Sequence, residues 1–514
     1  MTRSPDPARP APAARYRDRV PHPDAPTLWS RRTALRVGGT LGGLVGLSAL
    51  LPRRASAAAG RAPVTVDGWR ASWTEPVLVA HRGSGDTYPE HTMVAYQAAV
   101  DWGATAMEVS VGITSDGVLI CMHDATYDRT TTGSGRIDAQ PASVLDDIRV
   151  LQPQLGAYWV RNAPPVPLLE DVLDRFGGRL VLCLEAKNRA AYAPMMAAVV
   201  RRGLQRSVMV KVHHTSDVLA LAAAEGYPRF AYLGSRDEVT ETNIAALQTA
   251  LDPARDVLVI AAGTGPAARP FVPDALVRRA VATGIPVWVF PLHRRSELRH
   301  FVDLGVRGAV CAGYGYLAGV VPPVVRDSWS RQRVAPGELA LAVTTPPTWT
   351  ADGELVLDLP GRAHFVMPGQ FSSVASTDGR WSLDVDLRWR EAPGADDDLL
   401  SVAFGHEDDR YYEHRGGIGT GYHATLRADG RLGLYLHRDR RVAGQQLAVT
   451  TTPAPVTGRW AHLRIEVTPT TVTVRRTDTG EVVRATDRTV RGGHLHLGRA
   501  SRTGTAGFRA LTVG

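Results

Sequence analysis

Lysine is nearly absent from this 514-residue chain: of 59 lysine and arginine residues, only Lys187 and Lys211 are lysine. Wherever a generic cation serves, the sequence writes arginine, so the two exceptions ask for a reason. A compact ammonium on a flexible stem meets a phosphate or carboxylate as a point charge where a planar guanidinium does not fit. Cysteine is also scarce. Cys121, Cys183 and Cys311 lie within or at the end of apolar runs, the pattern of small buried side chains, and no CxxC spacing supports zinc. Despite a net charge of +8, no basic run is dense enough to mark a nucleic-acid site. The missing GxSxG elbow argues against a serine-nucleophile hydrolase. Long apolar runs are missing too, apart from Val37 to Leu51, about 15 residues against the roughly 17 to 25 that a membrane span needs.

That apolar segment follows Ser30-Arg31-Arg32-Thr33-Ala34-Leu35 and precedes Ala55-Ser56-Ala57, an A-x-A cleavage pattern. The adjacent arginines resemble a twin-arginine signal, which moves proteins already folded. Residues 1–59 are therefore expected to be an export signal and leader. The mature chain is expected to be secreted or associated with the cell envelope, with no integral membrane span.

A chain of this length is too long for one ordinary domain. From Val77 to Ala312, β-rich apolar runs alternate with helical stretches. The strand candidates are Val77 to His81, Ala106 to Val111, Leu180 to Glu185, Val208 to Val212, Phe230 to Leu233, Val257 to Ala261, Pro286 to Phe290 and Gly308 to Cys311. Val118 to His123 reads as an extra strand, a hairpin partner of the second. Eight such units predict a (β/α)8 barrel over residues 60–330. An open doubly wound sheet is the competitor, but no Gly-rich dinucleotide fingerprint follows the first strand. Residues 331–345 read as a linker. Beyond it, Trp381 to Trp389 alternates apolar and charged residues with period two, as do several later runs, and no helical period intervenes. Residues 346–514 are therefore expected to form an antiparallel β-sandwich. Its pattern, with Gly458-Arg459-Trp460 opening a strand, resembles laminin-G and concanavalin-like lectin folds.

In such a barrel, function sits at the carboxyl ends of the strands. His81 ends the first strand, Glu108 and Ser110 lie late in the second, and His123 ends its hairpin partner. Glu185 and Lys187 lie late in the third, and Lys211 and His213 late in the fourth. Residues two apart share a strand face, so four neighbouring strands bring acids, imidazoles and both lysines to one mouth. Two imidazoles facing a cation and lysines suit phosphodiester cleavage. One takes a proton from the nucleophile and the other gives one to the leaving alkoxide, while fixed cations or a hard divalent ion take up phosphoryl charge.

His81-Arg82-Gly83, Tyr88-Pro89-Glu90-His91-Thr92, Gly103-Ala104 through Glu108, Thr114-Ser115-Asp116-Gly117, His123-Asp124, Arg129-Thr130-Thr131 and Leu184-Glu185-Ala186-Lys187 resemble, in order and spacing, the glycerophosphodiester phosphodiesterase family. The resemblance covers about residues 75 to 315. It implies hydrolysis of glycerophosphodiesters, either phospholipid head-group diesters or glycerol-phosphate polymers, to glycerol phosphate and an alcohol. It also implies His81 and His123 as the acid/base pair, Glu108 and Glu185 as ligands of a divalent cation, calcium or magnesium, and Arg82 and Lys187 as phosphate contacts. Glu90, Lys211, His213 and Trp288 join the residues expected to face substrate. The family pattern places an acid where Ser110 stands, so the cation site loses a carboxylate or finds a substitute. Two alternatives follow: a weakened barrel that binds phosphate or sugar ligands, and a lyase resembling sphingomyelinase D toxins. The sandwich is expected to meet cell-envelope glycans.

Overall fold

The computed structural model describes residues 62–74, 76–263, 271–320, 332–333, 348–358, 364–365, 379–409, 419–439, 441 and 443–514. The expected export signal lies outside these residues, as does nearly all of the expected linker. No described helix is long and apolar enough to cross a membrane.

Nine strands make the first sheet: β1 (Val77–Ala80), β2 (Ala106–Ile113), β3 (Leu119–Cys121), β4 (Val181–Ala186), β5 (Val208–His213), β6 (Arg229–Leu233), β7 (Val257–Ala261), β8 (Val287–Leu292) and β9 (Gly308–Cys311). Eight are parallel and close on themselves, because β1 pairs with both β2 and β9. The remaining strand, β3, runs antiparallel to β2 as its hairpin partner. This is a TIM barrel. Helices such as Arg189–Arg201, Val218–Ala224, Asp274–Val281 and Arg295–Asp303 cover its outside, and one continuous apolar layer fills the space between them and the strands.

The period of two along each strand explains the interior. Val77 and Val79, Ala106, Val181 and Cys183, Met209, Phe230, Val257 and Val259, Trp288 and Val310 point inward and form an apolar plug. The helix Val66–Ala71 closes the amino-terminal end with Trp69, whose indole meets Trp73 and Trp288 edge-on. Two residues further along the same strands, the inward positions become His81, Glu108, Glu185, Lys211 and Tyr232. The barrel is thus apolar below and ionic above. Only the upper end is open to chemistry.

The second half is all antiparallel β. A seven-stranded sheet contains β10 (Thr348–Trp349), β11 (Leu355–Leu357), β13 (Trp381–Trp389), β18 (Ala461–Val467), β19 (Thr471–Arg476), β20 (Val482–Thr486) and β22 (Ala506–Val513). A six-stranded sheet contains β12 (His364–Phe365), β14 (Leu399–His406), β15 (Gly421–Arg427), β16 (Arg431–His437), β17 (Gln445–Thr451) and β21 (His494–Ala500). Strand β13 alternates buried and half-buried positions without exception, as its sequence requires. Its Leu383, Val385 and Leu387 share one core with Val402, Phe404 and Leu434 of the other sheet, so the sheets form a sandwich. The sandwich reaches the barrel at Asp409, which accepts hydrogen bonds from the backbone N–H groups of Arg295 (2.6 Å) and Ser296 (2.9 Å), at the start of helix Arg295–Asp303, and from the Tyr316 hydroxyl (3.0 Å).

Candidate active site

Chain reversal after β1 builds one wall of the mouth. Arg82 and Ser84 both adopt left-handed backbone conformations, with φ of 52° and 79°, as does His91 at 54°. Three non-glycine residues in that region within ten positions mark stored strain at a functional site. Gly83 makes the turn possible. It sits at φ 79°, and a Cβ there would come within 2.8 Å of the Ala95 side chain and 2.9 Å of the Tyr96 nitrogen. Helix Met93–Asp101, capped by the Thr92 hydroxyl, therefore packs directly under the His81–Arg82 corner.

Buried Glu90 organises the cations of this wall. Its carboxylate accepts from Arg82 Nη1 (3.0 and 3.1 Å) and from Arg129 Nη2 (2.7 Å), and its backbone N–H donates to Gln152 (2.7 Å). Burial alone would favour the neutral acid, but the two guanidinium groups hold Glu90 far below the usual carboxylate range. Arg129 also bridges to Asp124 (Nη2–Oδ1 3.0 Å), and Asp124 accepts from His123 Nδ1 at 2.7 Å. A carboxylate can only accept, so Nδ1 carries the proton and Nε2 of neutral His123 presents a lone pair.

Next to Arg82, His81 Nε2 lies 3.5 Å from Glu108 Oε2. Burial, reinforced by the Arg82 and Lys211 charges, pushes the His81 pKa well below 6.5. Burial also lowers His123, with Asp124 pulling the other way. Both rings are therefore neutral in the ligand-free site at pH 7. Among the described residues, Arg82 Nε and Glu108 Oε2 are buried without hydrogen-bond partners. An unpaired donor on the residue after His81 and an unpaired acceptor facing its ring are groups that a bound ligand would satisfy.

The floor of the mouth is an ionic cluster. The Lys211 ammonium lies 2.7 Å from Glu108 Oε1 and 2.6 Å from Glu185 Oε2. Glu185 Oε2 also accepts from the Ser110 hydroxyl (3.2 Å), while its Oε1 accepts from Lys187 Nζ (3.1 Å) and the Tyr232 hydroxyl (2.6 Å). Ser110 and Glu185 face each other in the β2–β4 register, and the β4–β5 ladder brings Lys211 alongside. Burial disfavours all three charges, but each is offset by the others: Glu108 and Glu185 are held low and Lys211 high.

The residues expected to hold calcium or magnesium do not fit a hard cation. Such ions take six or more oxygens. Both oxygens of Glu185 are used by donors, Ser110 supplies a hydroxyl in place of a carboxylate, and an ammonium sits between the two acids. Glu108 Oε2 is the one free carboxylate oxygen of the set.

His81, Arg82, Glu90, Glu108, Ser110, His123, Glu185, Lys187 and Lys211 thus gather at one mouth. Two expected site residues stand apart. Trp288 pairs with Val259 and Gly308 one layer down, fully buried against Trp69, Trp73 and Phe230. A Cβ on Gly308 would clash with its ring at 2.4 Å. Phe290, two residues on, is the side chain nearer the opening. His213 binds Thr215 Oγ1 and Glu238 Oε2, both at 2.8 Å, beside His214; among the described residues these two histidines and Glu238 are the one trio with metal-type donor atoms within 4.8 Å of one another. Four contributors were missing from the expected set. Asp124 and Arg129 stood within the motifs, Tyr232 follows Phe230 by two on β6, and Gln152 comes from a loop that carries no signal.

A TIM barrel whose open end joins two imidazoles, anchored arginines and a balanced acid–lysine floor has the constitution of a phosphoric diester hydrolase. Residues 81–311 match the Glycerophosphoryl diester phosphodiesterase family. The chain is 27% identical over 262 residues to a glycerophosphodiester phosphodiesterase of Bacillus subtilis, covering 45% of this chain and 82% of that protein. A glycerophosphodiester phosphodiesterase of Caldanaerobacter subterraneus is 44% identical over 119 residues, 23% of this chain and 48% of its own length. Among solved structures, an Oleispira antarctica phosphodiesterase in complex with the product sn-glycerol-3-phosphate is 21% identical, with a TM-score of 0.39 over 48% of this chain and 96% of that one. A glycerophosphodiester phosphodiesterase from Agrobacterium tumefaciens is also 21% identical, with a TM-score of 0.38 over 47% and 97%.

Proposed function

We propose that this protein hydrolyses glycerophosphodiesters to glycerol phosphate and an alcohol. The observation that carries the proposal is the pair of imidazoles, His81 and His123, brought to one mouth lined with fixed cations, with His81 Nε2 beside Glu108 and His123 Nδ1 bonded to Asp124. A phosphodiester anion bound by Arg82 and Lys187 would add negative charge beside both rings and raise their proton affinity. One imidazole then accepts the proton of the attacking oxygen while the other protonates the leaving alkoxide. Asp124 fixes the tautomer of His123, and Glu108 Oε2 faces the His81 ring.

The test is release of glycerol phosphate from a panel of glycerophosphodiesters, followed by phosphorus NMR, with chelator and with calcium, magnesium, manganese and zinc. Product is expected with wild type and loss of at least about 10²-fold with His81→Asn or His123→Asn, the range for a general acid or base. No glycerol phosphate under any condition would refute the reading. A cyclic phosphate as final product would move the protein to the lyase class.

We also read the chain as exported, on the strength of Arg31-Arg32, the apolar run and Ala55-Ser56-Ala57. Arg31→Lys with Arg32→Lys should retain the full-length protein in the cytoplasm; unchanged export would exclude the twin-arginine route. The sandwich is assigned to envelope glycans on its two-sheet architecture, and binding of the full chain to isolated cell-wall polymer tests it. No sedimentation with the polymer would leave the sandwich a structural partner of the barrel.

A further inference from the structure

The acid–lysine floor shows what replaces the carboxylate missing at Ser110. Glu108 and Glu185 carry two negative charges, and Lys187 and Lys211 carry two positive ones, all within hydrogen-bonding contact. A divalent cation placed among three carboxylates would neutralise excess negative charge. Here a hydroxyl stands where the family pattern places an acid, and Lys211 brings a second ammonium beside Lys187, so the cluster is already neutral. The ammonium also occupies the space: Nζ contacts one oxygen of each acid at 2.7 and 2.6 Å, with the Tyr232 ring 4.6 Å away on another side. Composition points the same way. In a chain that otherwise chooses arginine, both lysines stand at this one cluster, where a compact point charge fits between two carboxylates and a planar fork does not.

We propose that the Lys211 ammonium takes the charge-balancing place of a divalent cation between Glu108 and Glu185, so that phosphodiester cleavage at this mouth needs no metal ion. The inference rests on the phosphodiesterase reading above. The step is balanced without one. A water oxygen forms a bond to phosphorus as the bond from phosphorus to the alcohol oxygen breaks. One imidazole accepts the water proton; the other, protonated from solvent when the phosphodiester anion binds beside it, donates that proton to the leaving oxygen, and no electrons change hands. Lys211 acts as a positioning residue: it holds both acids in place and cancels their charge, so that a phosphate anion is not repelled from Arg82 and Lys187.

The test uses the full chain, freed of metal by chelation and verified by elemental analysis. Wild type is expected to keep its activity in chelator, changing less than about twofold on addition of millimolar calcium, magnesium or manganese. Lys211→Met should lose about 10²- to 10³-fold, the scale for removing one preorganised electrostatic partner. The double variant Ser110→Asp with Lys211→Ala restores the carboxylate and removes the ammonium, and should become active only with added divalent ion, by at least about tenfold. Calorimetric titration with calcium gives a readout free of turnover: no heat from binding with wild type, a binding isotherm with the double variant. Wild type that is dead in chelator and revived by metal would overturn this proposal while upholding the phosphodiesterase. Wild type that binds calcium with micromolar affinity would overturn it even if no substrate were ever found.

Discussion

Asp124 offers the sharpest single test of how this mouth works. Its carboxylate accepts from His123 Nδ1 at 2.7 Å and from Arg129. Asp124→Asn keeps the shape and removes the charge. The new amide can turn its NH2 toward Nδ1, which moves the His123 proton to Nε2 and aims the wrong end of the ring at substrate. Loss of the carboxylate also removes the group that counters burial in setting the His123 pKa, so the ring becomes harder to protonate. Whether His123 serves as acid or base, it is disabled. The expected fall in kcat is about 10²- to 10⁴-fold, or about 2.7 to 5.5 kcal/mol of barrier. Folding should suffer little, by about 1 kcal/mol, because Asp124 is partly exposed and Arg129 keeps its bonds to Glu90. Steady-state kinetics of glycerol phosphate release, with urea denaturation alongside, separates the two effects. A kcat loss under tenfold, or a loss carried by KM alone, would refute the assignment of His123 to proton transfer.

Three further outcomes follow from the same geometry. Glu90→Gln removes the acid shared by Arg82 and Arg129 and should cost about 2 to 3 kcal/mol in urea unfolding, below the 3 to 5 of a fully buried pair because Arg129 reaches solvent; a cost under 0.5 kcal/mol, on the same scale, would show that Glu90 organises nothing. His293 is buried, which lowers its pKa, but the Asp86 carboxylate 2.6 Å from Nδ1 more than offsets this and raises it above 6.5. A raised folded-state pKa stabilises fully below 6.5 and is lost as pH climbs through the raised value, so the stability gap between wild type and His293→Gln should shrink from pH 6 to pH 9, and a gap that widens would reverse the assignment. Asp409→Ala strips the cap that the sandwich lends to helix Arg295–Asp303 and should cost about 1 to 2 kcal/mol; thermal unfolding of the full chain reports it, and an unchanged transition would mean that Asp409 does not support this helix.

Much of this architecture was legible in the sequence because period two is so clean here. Each barrel strand was visible as a short β-rich run bounded by helical stretches, and strand β13 could be read residue by residue from WSLDVDLRW. The histidines were legible because they end strands. Trp288 lies deeper than its place in the run suggests: the apolar run marks the strand, but the depth of an inward residue depends on barrel register, which no local pattern shows. Only the pairing with Gly308 reveals that the indole fills the lower plug. His213 shares a face with Lys211, yet it sits at the very end of β5, where Glu238 captures it from the following loop. Gln152 lies in irregular chain and could not be inferred at all.

Ser110 and Lys211 show the deeper limit. In the sequence they were two separate oddities, a missing acid on the second parallel strand of the barrel and a rare lysine on the fourth, 101 positions apart. Read singly, the first suggests a damaged cation site and the second a phosphate contact. Their meaning lies in the β2–β4–β5 register, which puts a hydroxyl, two carboxylates and an ammonium around one point. Charge must balance at such a buried point, since an uncompensated ion there costs several kcal/mol. A hydroxyl in place of one acid and an ammonium between the other two do together what a bound dication would do among three acids. The same reasoning fixes the consequence for single changes. Lys211→Met alone leaves two facing carboxylates with only Lys187 for balance, so it should either raise the pKa of one acid or draw in an external cation; a calcium-binding isotherm that appears in Lys211→Met but not in wild type would show that the ammonium, and not the loss of the third acid, is what keeps metal out.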